Sequence, residues 1–363
     1  MSLPFSPHAE KRTKFWVGIA ALVFVVFISL GVMASNGWLD SVQSGNFSLS
    51  LNRKERDESR TLNSEPLPTP QLSKSFIYAG SRLLAIEDKN SNAAPPADLA
   101  IWRPGTGVWW ILGGVPGSAS TTFGWGLSTD LPLPGDFDGD GKTDFSVFRP
   151  STGEWYVINS SSGAWSVWQW GLSTDIRVPA DYDGDGKTDR AVFRPSTGVW
   201  YIVRSKDEIA IYSTFGLSTD TPAPADYDGD GKADIAVWRS SNQTFYSINS
   251  GNNLLNTIAF AQTGTQPVSA DYDGDGKADY AIRSGNNWVI RKSSNAQTDV
   301  IAWQLASDIP VQNDYDGDGK VDLATWRNSN GNWFIRQSAS ANSLRQVQWG
   351  ISGDIPVPAF YRR

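Results

Sequence analysis

A nine-residue acidic run, DxDGDGKxD, occurs five times in the chain, starting at Asp136, Asp181, Asp226, Asp271 and Asp314. Successive starts are 45, 45, 45 and 43 residues apart. Alternate aspartates in a tight loop direct their carboxylates toward one point, and Ca²⁺ binds such oxygen atoms. We therefore predict five Ca²⁺ sites, each formed by four aspartate side chains and the backbone carbonyl of the lysine. The predicted ligands are Asp136, Asp138, Asp140, Lys142 and Asp144; Asp181, Asp183, Asp185, Lys187 and Asp189; Asp226, Asp228, Asp230, Lys232 and Asp234; Asp271, Asp273, Asp275, Lys277 and Asp279; and Asp314, Asp316, Asp318, Lys320 and Asp322.

Two other interpretations of these runs are weaker. An EF-hand or dockerin loop needs an acidic residue at position twelve and a helix after it. Position twelve is apolar or threonine in every copy (Val147, Val192, Val237, Ile282 and Thr325). A single Asp-Gly run would be a solvated turn. However, five copies in phase hold 20 of the 38 acidic residues, whose mutual repulsion would oppose folding without a cation.

A sixth, degenerate run extends from Asp88 to Asp98, and its first residue lies 48 residues before Asp136, where the next loop starts. It keeps Asp88, Asn90, Asn92 and Asp98 but carries a two-residue insertion before Asp98. These four residues are a candidate sixth metal site, so the expected stoichiometry is five or six Ca²⁺ ions.

Each acidic run is followed by short β-rich segments, such as Phe145 to Arg149, separated by turn residues. Four short strands per unit of about 45 residues are typical of a β-propeller blade. We predict an all-β propeller of six four-stranded blades, with seven as the alternative if Phe76 to Glu87 forms its own sheet. The C-terminal sequence ends where another acidic loop would start, so it is expected to complete the blade that the N-terminal side of the domain begins.

The five acidic runs and their spacing resemble those of VCBS and FG-GAP-like repeat proteins, a bacterial propeller family. The resemblance covers about residues 76–363. It implies a Ca²⁺ ion at each DxDxDGxxD loop and says little about biochemical activity. The full FG and GAP signatures of integrin-type repeats are absent, so no ligand-binding loop is inferred from them.

The N-terminal region differs in composition. Residues 17–34 are uncharged and apolar and follow Lys11, Arg12 and Lys14. Eighteen such residues roughly span a bilayer core of about 30 Å, and the basic residues favour a cytoplasmic N-terminus. We predict a cytoplasmic tail or signal n-region at 1–14, a transmembrane signal anchor or signal peptide at 15–35, a flexible linker at 36–75 and the propeller at 76–363. Cleavage after Ala34 is the alternative, and it would release a secreted protein.

The amino-acid composition makes several classes of function unexpected. The formal charge of −7 makes nucleic acid an unexpected partner. The chain has no cysteine and its one histidine is His8, so Ser-His and Cys-His catalysis is not expected. We predict a binding or adhesion module of the bacterial cell envelope, with an unidentified protein or glycan ligand. The alternatives are a lectin that uses recurring tryptophans such as Trp110 and Trp155, and a propeller lyase or glycosidase.

Overall fold

The computed structural model describes residues 74–79, 82–88, 96–264, 266–339 and 342–361. The chain separates into two units, Met1–Leu67 and Pro68–Arg363. The predicted segments 1–14 and 15–35 lie outside the described residues, as does nearly all of the predicted linker. In the part of the chain that is described, no helix is long and apolar enough to span a bilayer.

Within the described residues, the strands form six four-stranded antiparallel sheets, and the predicted six-bladed propeller is confirmed. We number the blades by the order of their second strands, so that blade 1 contains β26, β3, β4 and β5, and blades 2 to 6 follow in chain order. The strands of the blades are β3 (Leu99–Arg103), β4 (Val108–Leu112), β5 (Ser120–Gly124), β6 (Leu131–Pro132), β7 (Phe145–Arg149), β8 (Glu154–Ile158), β9 (Trp165–Gln169), β10 (Ile176–Arg177), β11 (Arg190–Arg194), β12 (Val199–Val203), β13 (Ala210–Thr214), β14 (Thr221–Pro222), β15 (Ile235–Arg239), β16 (Thr244–Ile248), β17 (Leu255–Ala259), β18 (Gln266–Pro267), β19 (Tyr280–Ser284), β20 (Asn287–Arg291), β21 (Thr298–Ala302), β22 (Ile309–Pro310), β23 (Leu323–Arg327), β24 (Asn332–Arg336), β25 (Leu344–Gln348) and β26 (Ile355–Pro356).

Blade 1 is assembled from both sides of the domain. Strand β26 pairs with β3, with Ile355 opposite Trp102 and Pro356 opposite Ile101. This pairing confirms the predicted closure, and it leaves no open end in the ring of blades. The seven-blade alternative is wrong, because β1 (Lys74–Ala79) and β2 (Arg82–Asp88) form a separate two-stranded sheet.

The core lies between neighbouring blades. In the second strand of blade 4, Ala236, Val237 and Trp238 are all fully buried, although successive side chains point to opposite faces. Such a strand is stable only when both of its faces are covered. Here the two adjacent blades cover them. The fourth strands are far more exposed and form the outer edges of the blades.

Each acidic loop joins the first and second strands of its blade, and the loops are bonded to one another. The amide before the last aspartate of one loop donates to the carbonyl of the first residue of the preceding loop, and six such bonds close the ring. They are Thr143 to Phe360 (2.9 Å), Thr188 to Asp136 (2.6 Å), Ala233 to Asp181 (2.7 Å), Ala278 to Asp226 (2.7 Å), Val321 to Asp271 (2.8 Å) and Ala97 to Asp314 (2.8 Å).

Candidate metal centres

The structure brings three aspartates of each acidic loop together. In every group, one carboxylate oxygen from each residue lies within 4.8 Å of the others. Four groups use the first, second and fourth aspartates, whereas the loop of blade 4 uses the first three. The groups are Asp136, Asp138 and Asp144; Asp181, Asp183 and Asp189; Asp226, Asp228 and Asp230; Asp271, Asp273 and Asp279; and Asp314, Asp316 and Asp322. These five clusters can each hold a metal ion.

Backbone amides fix the first aspartate of the loop. In blade 2, the Oδ1 atom of Asp136 accepts from the amide of Gly139 at 2.6 Å, and its Oδ2 atom accepts from the amide of Gly141 at 2.9 Å. Gly141 has a φ of 84°, in the left-handed region that favours glycine. The two glycines therefore let the loop wrap around the carboxylate.

The last aspartate connects the loop to the body of its blade. The carboxylate of Asp144 accepts from the amides of Phe137 and Ser160, each at 2.7 Å. Ser160 lies in the turn between β8 and β9, so a hydrogen bond from the outer hairpin of the blade also fixes the acidic loop. Asp144 is fully buried, whereas Asp140 is exposed.

A serine at this turn is a site residue that the motif did not reveal. The Oγ atom of Ser160 donates to Oδ1 of Asp140 at 2.9 Å, across 20 residues. Serine occupies the same place in all five blades that carry a complete acidic loop, and Gly114 occupies it in blade 1. The recurrence was visible in the sequence as a serine in phase with the repeat. The five residues are Ser160, Ser205, Ser250, Ser293 and Ser338.

The clustered carboxylates are electrostatically unfavourable when no cation is bound. Burial, with a smaller contribution from the neighbouring Asp138, raises the pKa of Asp136 to about 6 and that of Asp144 to about 7. The same two positions are shifted in every complete loop, up to a pKa of about 8 for Asp322. A divalent cation would neutralise this repulsion, so the oxygen-rich donor set fits a hard metal ion.

The lysines of the loops take part in contacts between loops. The aliphatic part of Lys187 packs on Gly139 of the preceding blade, and a Cβ at that glycine would lie 3.0 Å from Cγ of the lysine. Equivalent contacts join Lys232 to Gly184, Lys277 to Gly229 and Lys320 to Gly274. The ligand role of the lysine carbonyls stays a prediction.

The degenerate run does not reproduce the five clusters. Asp88 lies in β2, opposite Lys74, and Asn90 and Asn92 are outside the described residues. Asp98 takes the place of Asp144, since it bridges to Ala359 as Asp144 bridges to Gly135. The following residue, Phe360, therefore stands where Asp136 stands in blade 2, and its side chain offers no oxygen. Among the described residues, no cluster of acidic side chains includes Asp98.

The recurring tryptophans of the third strands are packing residues. Strand register places Trp109, and not Trp110, at the position of Trp155 and Trp200. All three are fully buried, and none offers a ring face to a sugar. A different aromatic site is present between blades 1 and 2, where a cavity of about 350 Å³ is lined by Trp125, Gly126, Leu127, Val147, Arg149, Tyr156 and Trp165.

A comparison with protein families finds a match over part of the repeat region. A model of the FG-GAP-like repeat matches residues 136–192, 181–237 and 226–282. Residues 136–282 are therefore similar to FG-GAP-like repeats, and this stretch holds four of the five acidic loops. Each matched segment begins at the first aspartate of one acidic loop and ends within the second strand of the next blade. No curated protein matches the chain.

Solved structures share the propeller fold at low sequence identity. TolB from Acinetobacter baumannii is 17% identical, with a TM-score of 0.53 over 75% of this chain and 67% of that chain. A chain of the nidogen/laminin complex is 10% identical, with a TM-score of 0.50 over 70% of this chain and 94% of that chain. At these identities the similarity concerns the fold alone.

Proposed function

We propose that the five acidic loops bind Ca²⁺ and that the protein is an extracytoplasmic propeller acting as a binding or adhesion module. The observation that carries this proposal is the ring of backbone bonds between neighbouring loops. A cation in one cluster orders a loop that is bonded to the next loop, so bound ions would stiffen the whole ring. The metal thus has a structural role in a rigid scaffold.

The donor chemistry favours Ca²⁺ over other ions. Each cluster offers carboxylate and backbone oxygens, which suit hard cations, whereas zinc and copper sites usually contain histidine or cysteine. The chain has no cysteine, and its one histidine, His8, lies far from the repeats in sequence. Ca²⁺ also tolerates irregular coordination better than Mg²⁺ does. We expect about five ions per chain.

Display outside the cytoplasm is part of the same proposal. It rests on the apolar residues 17–34 and the preceding basic residues, which favour export of everything that follows. Millimolar Ca²⁺ outside the cytoplasm would keep sites of modest affinity loaded. Retention by the membrane and release after Ala34 are both compatible with this role.

The binding proposal is tested by capture of envelope and matrix components on immobilised full-length protein, with Ca²⁺ or with a chelator. We expect specific capture only with Ca²⁺, and its loss when Asp144→Asn and Asp189→Asn are combined. Ca²⁺ stoichiometry is measured in parallel by equilibrium dialysis. A protein that binds about five ions but captures nothing would retain the metal proposal and contradict the binding module.

Carbohydrate binding is a second candidate, because the cavity between blades 1 and 2 presents aromatic surface. Trp165 lines this cavity and is 67% exposed. Tyr156 also lines the cavity, and its ring lies beneath the guanidinium of Arg149. Exposed aromatic faces stack on the apolar faces of sugars. Glycan-array binding that is lost in Trp165→Ala would support a lectin. Leu344→Ala is the matched control, since Leu344 begins the fourth strand of blade 6 and is 54% exposed.

We propose no catalytic activity. Every buried carboxylate among the described residues recurs at a repeat position, either in a metal loop or in a turn before a first strand. A lyase or glycosidase would need a carboxylate pair that belongs to one place on the propeller. Hydrolysis or elimination by the full-length protein on envelope polysaccharides would contradict this part of the proposal.

A further inference from the structure

Blade 5 carries an arginine in the aromatic core position of its second strand. Arg283 pairs with Gln266 in the register in which Phe148 pairs with Leu131. The same position is filled by an aromatic residue in the other five blades, namely Trp102, Phe148, Phe193, Trp238 and Trp326. Arg283 is only 5% exposed, so a permanently charged group replaces a core ring.

The guanidinium of Arg283 is only partly hydrogen-bonded. Its Nη2 atom donates to the carbonyl oxygens of Gly285 at 3.2 Å and Leu305 at 3.1 Å. Its buried Nε and Nη1 atoms have no partner among the described residues. Buried donors that lack an acceptor are costly, and a buried charge that lacks a counter-charge is costlier.

Two neighbouring donors are also without partners. The Cζ atom of Arg283 lies 5.1 Å from the ring centroid of Trp288, whose Nε1 atom is buried and unbonded in the described structure. In blade 2, by contrast, Nε1 of the equivalent Trp155 donates to the carbonyl of Trp170 at 2.7 Å. Within the described part of the chain, the hydroxyl of Thr325, on the second strand of blade 6, is the second donor without a partner.

The position of Thr325 faces this same junction between blades. In the corresponding place between blades 1 and 2, a Cβ built on Gly126 would touch both Trp102 and Val147. Trp102 is the counterpart of Arg283, and Val147 is the counterpart of Thr325. Two core positions that are apolar at that junction are therefore both hydrogen-bond donors at the junction of blades 5 and 6.

Among the described residues, no unpaired carboxylate is seen to balance the charge of Arg283. Asp308 attracts Arg283 electrostatically, but its two oxygens already accept from Arg327 at 2.9 and 2.8 Å. The group of Arg283, Arg327 and Asp308 thus carries one net positive charge. At the junctions where Arg149 pairs with Asp130, the charges cancel.

We propose that the junction of blades 5 and 6 binds a small monovalent anion, a halide or a small carboxylate such as formate, against Nε and Nη1 of Arg283. The indole of Trp288 and the hydroxyl of Thr325 supply further donors. Such an ion accepts several hydrogen bonds at once and cancels the buried charge. The anion would act as an internal counter-ion that stabilises the contact between blades 5 and 6. This effect would be independent of the acidic loops.

The test is thermal unfolding of the full-length protein at constant Ca²⁺ and ionic strength, while sodium gluconate is replaced by sodium bromide or by sodium formate. Gluconate is a much larger anion than bromide or formate and serves as the reference. We expect a saturable rise in Tm on the order of 2–4 °C with at least one of the two ions. Bromide and formate titrations then distinguish a halide site from a carboxylate site. A Tm that responds to neither ion would overturn the proposal and indicate water at the junction.

Two variants connect the effect to the site. Arg283→Phe introduces the residue found at Phe148 and Phe193, and Thr325→Val introduces the residue found at Val147. We expect the first to abolish the anion-dependent rise and the second to weaken it, whereas Arg204→Gln on the surface leaves it intact. An unchanged rise in Arg283→Phe would contradict the assignment. If that variant does not fold, crystals of the unmodified protein soaked in whichever ion raises Tm decide, because a bromide anomalous peak or density for formate beside Arg283 is then required.

Discussion

The amide of Thr143 donates to the carbonyl oxygen of Phe360 at 2.9 Å, and the hydroxyl of Thr143 accepts from the amide of Phe360 at 3.1 Å. Thr143 lies in the first complete acidic loop, and Phe360 lies 217 residues later near the C-terminus. This reciprocal pair joins the two sides of the domain beside the aspartate cluster of blade 2. The contact that closes the propeller therefore also orders the first complete acidic loop.

Truncation after Pro358 should destabilise the domain strongly. It removes Phe360, which is 4% exposed, and Tyr361, whose amide donates to the carboxylate of Asp98. Loss of two buried aromatic side chains costs about 3–5 kcal/mol each, so the truncated chain should melt far below the full chain or fail to fold. Denaturant unfolding measures the difference. Removal of only Arg362 and Arg363 is the control, and equal stability of all three chains would exclude a role for the C-terminus in closure.

Removal of Ca²⁺ should lower Tm in a pH-dependent way. At millimolar Ca²⁺, each site of typical extracellular affinity contributes about 0.4–1.4 kcal/mol, so five sites rival the stability of an ordinary domain. The raised pKa values, about 6 for Asp181 and about 7 for Asp189, mean that protons compete with the metal below pH 7. We therefore expect a large effect of chelator at pH 8 and a small one at pH 5.

In the metal-free protein, the stability that these aspartates contribute should fall as pH rises, whereas most aspartates contribute stability that rises with pH. Because burial raises the folded-state pKa of Asp189 above its unfolded value, the protonated carboxyl stabilises the fold at low pH, and this stability is lost as pH rises through 7. Differential scanning calorimetry in chelator should show these groups favouring the fold more at pH 5 than at pH 8. A chelator effect that is equal at both pH values would contradict the role of these groups.

The last aspartate of a loop should matter more than the third. Asp144→Asn replaces a buried carboxylate that lies in the cluster and accepts two backbone amides, whereas Asp140 is exposed and outside its cluster. We expect Asp144→Asn to remove one ion from the stoichiometry and Asp140→Asn to leave it unchanged with weaker affinity. Isothermal titration calorimetry of both variants measures this, and the reverse ranking would show that the ligands are assigned wrongly.

The recurring serine should tune affinity without destroying the site. Ser160→Ala removes a hydroxyl that donates to Asp140 but keeps the backbone amide that donates to Asp144. One such bond is worth about 0.5–1.5 kcal/mol, which is a 2- to 12-fold loss of Ca²⁺ affinity in that loop. Ser151→Ala, in an exposed turn of the same blade, is the control. Identical Ca²⁺ affinities in the two variants would show that the hydroxyl of Ser160 does not contribute and that only its backbone amide does.

Buried ion pairs between the turns and the second strands should be essential to the blades. Arg149 donates to both carboxylate oxygens of Asp130, whose side chain is 0% exposed. The guanidinium of Arg149 also stacks on Tyr156, with its Cζ atom 4.1 Å from the ring centroid. Arg149→Met leaves this carboxylate buried without its partner and should cost about 3 kcal/mol. Arg204→Met breaks the more exposed pair with Asp207 and should cost less than 1 kcal/mol. Urea unfolding of both variants gives the comparison, and similar losses would disprove the difference.

The repeat allowed much of the fold to be predicted. Five acidic loops in phase, such as the one from Asp136 to Asp144, predicted both the blade length and clusters of carboxylates that could hold a cation. The complementary chain ends also predicted closure. The blade count needed the structure, since Phe76 to Glu87 is as β-rich as a blade strand and only pairing shows that it stays outside the six sheets.

Tertiary structure decided what depends on residues distant in sequence. It showed that Phe360, and not Asp88, stands at the first position of the incomplete loop, because that loop is divided between the two sides of the domain. It also placed Ser160 against the cluster and Arg283 in a core position. The local motif determined which side chains could bind a cation, since consecutive residues in one tight loop share a site. Long-range strand register determined which other side chains surround each site, and spacing along the chain does not encode that.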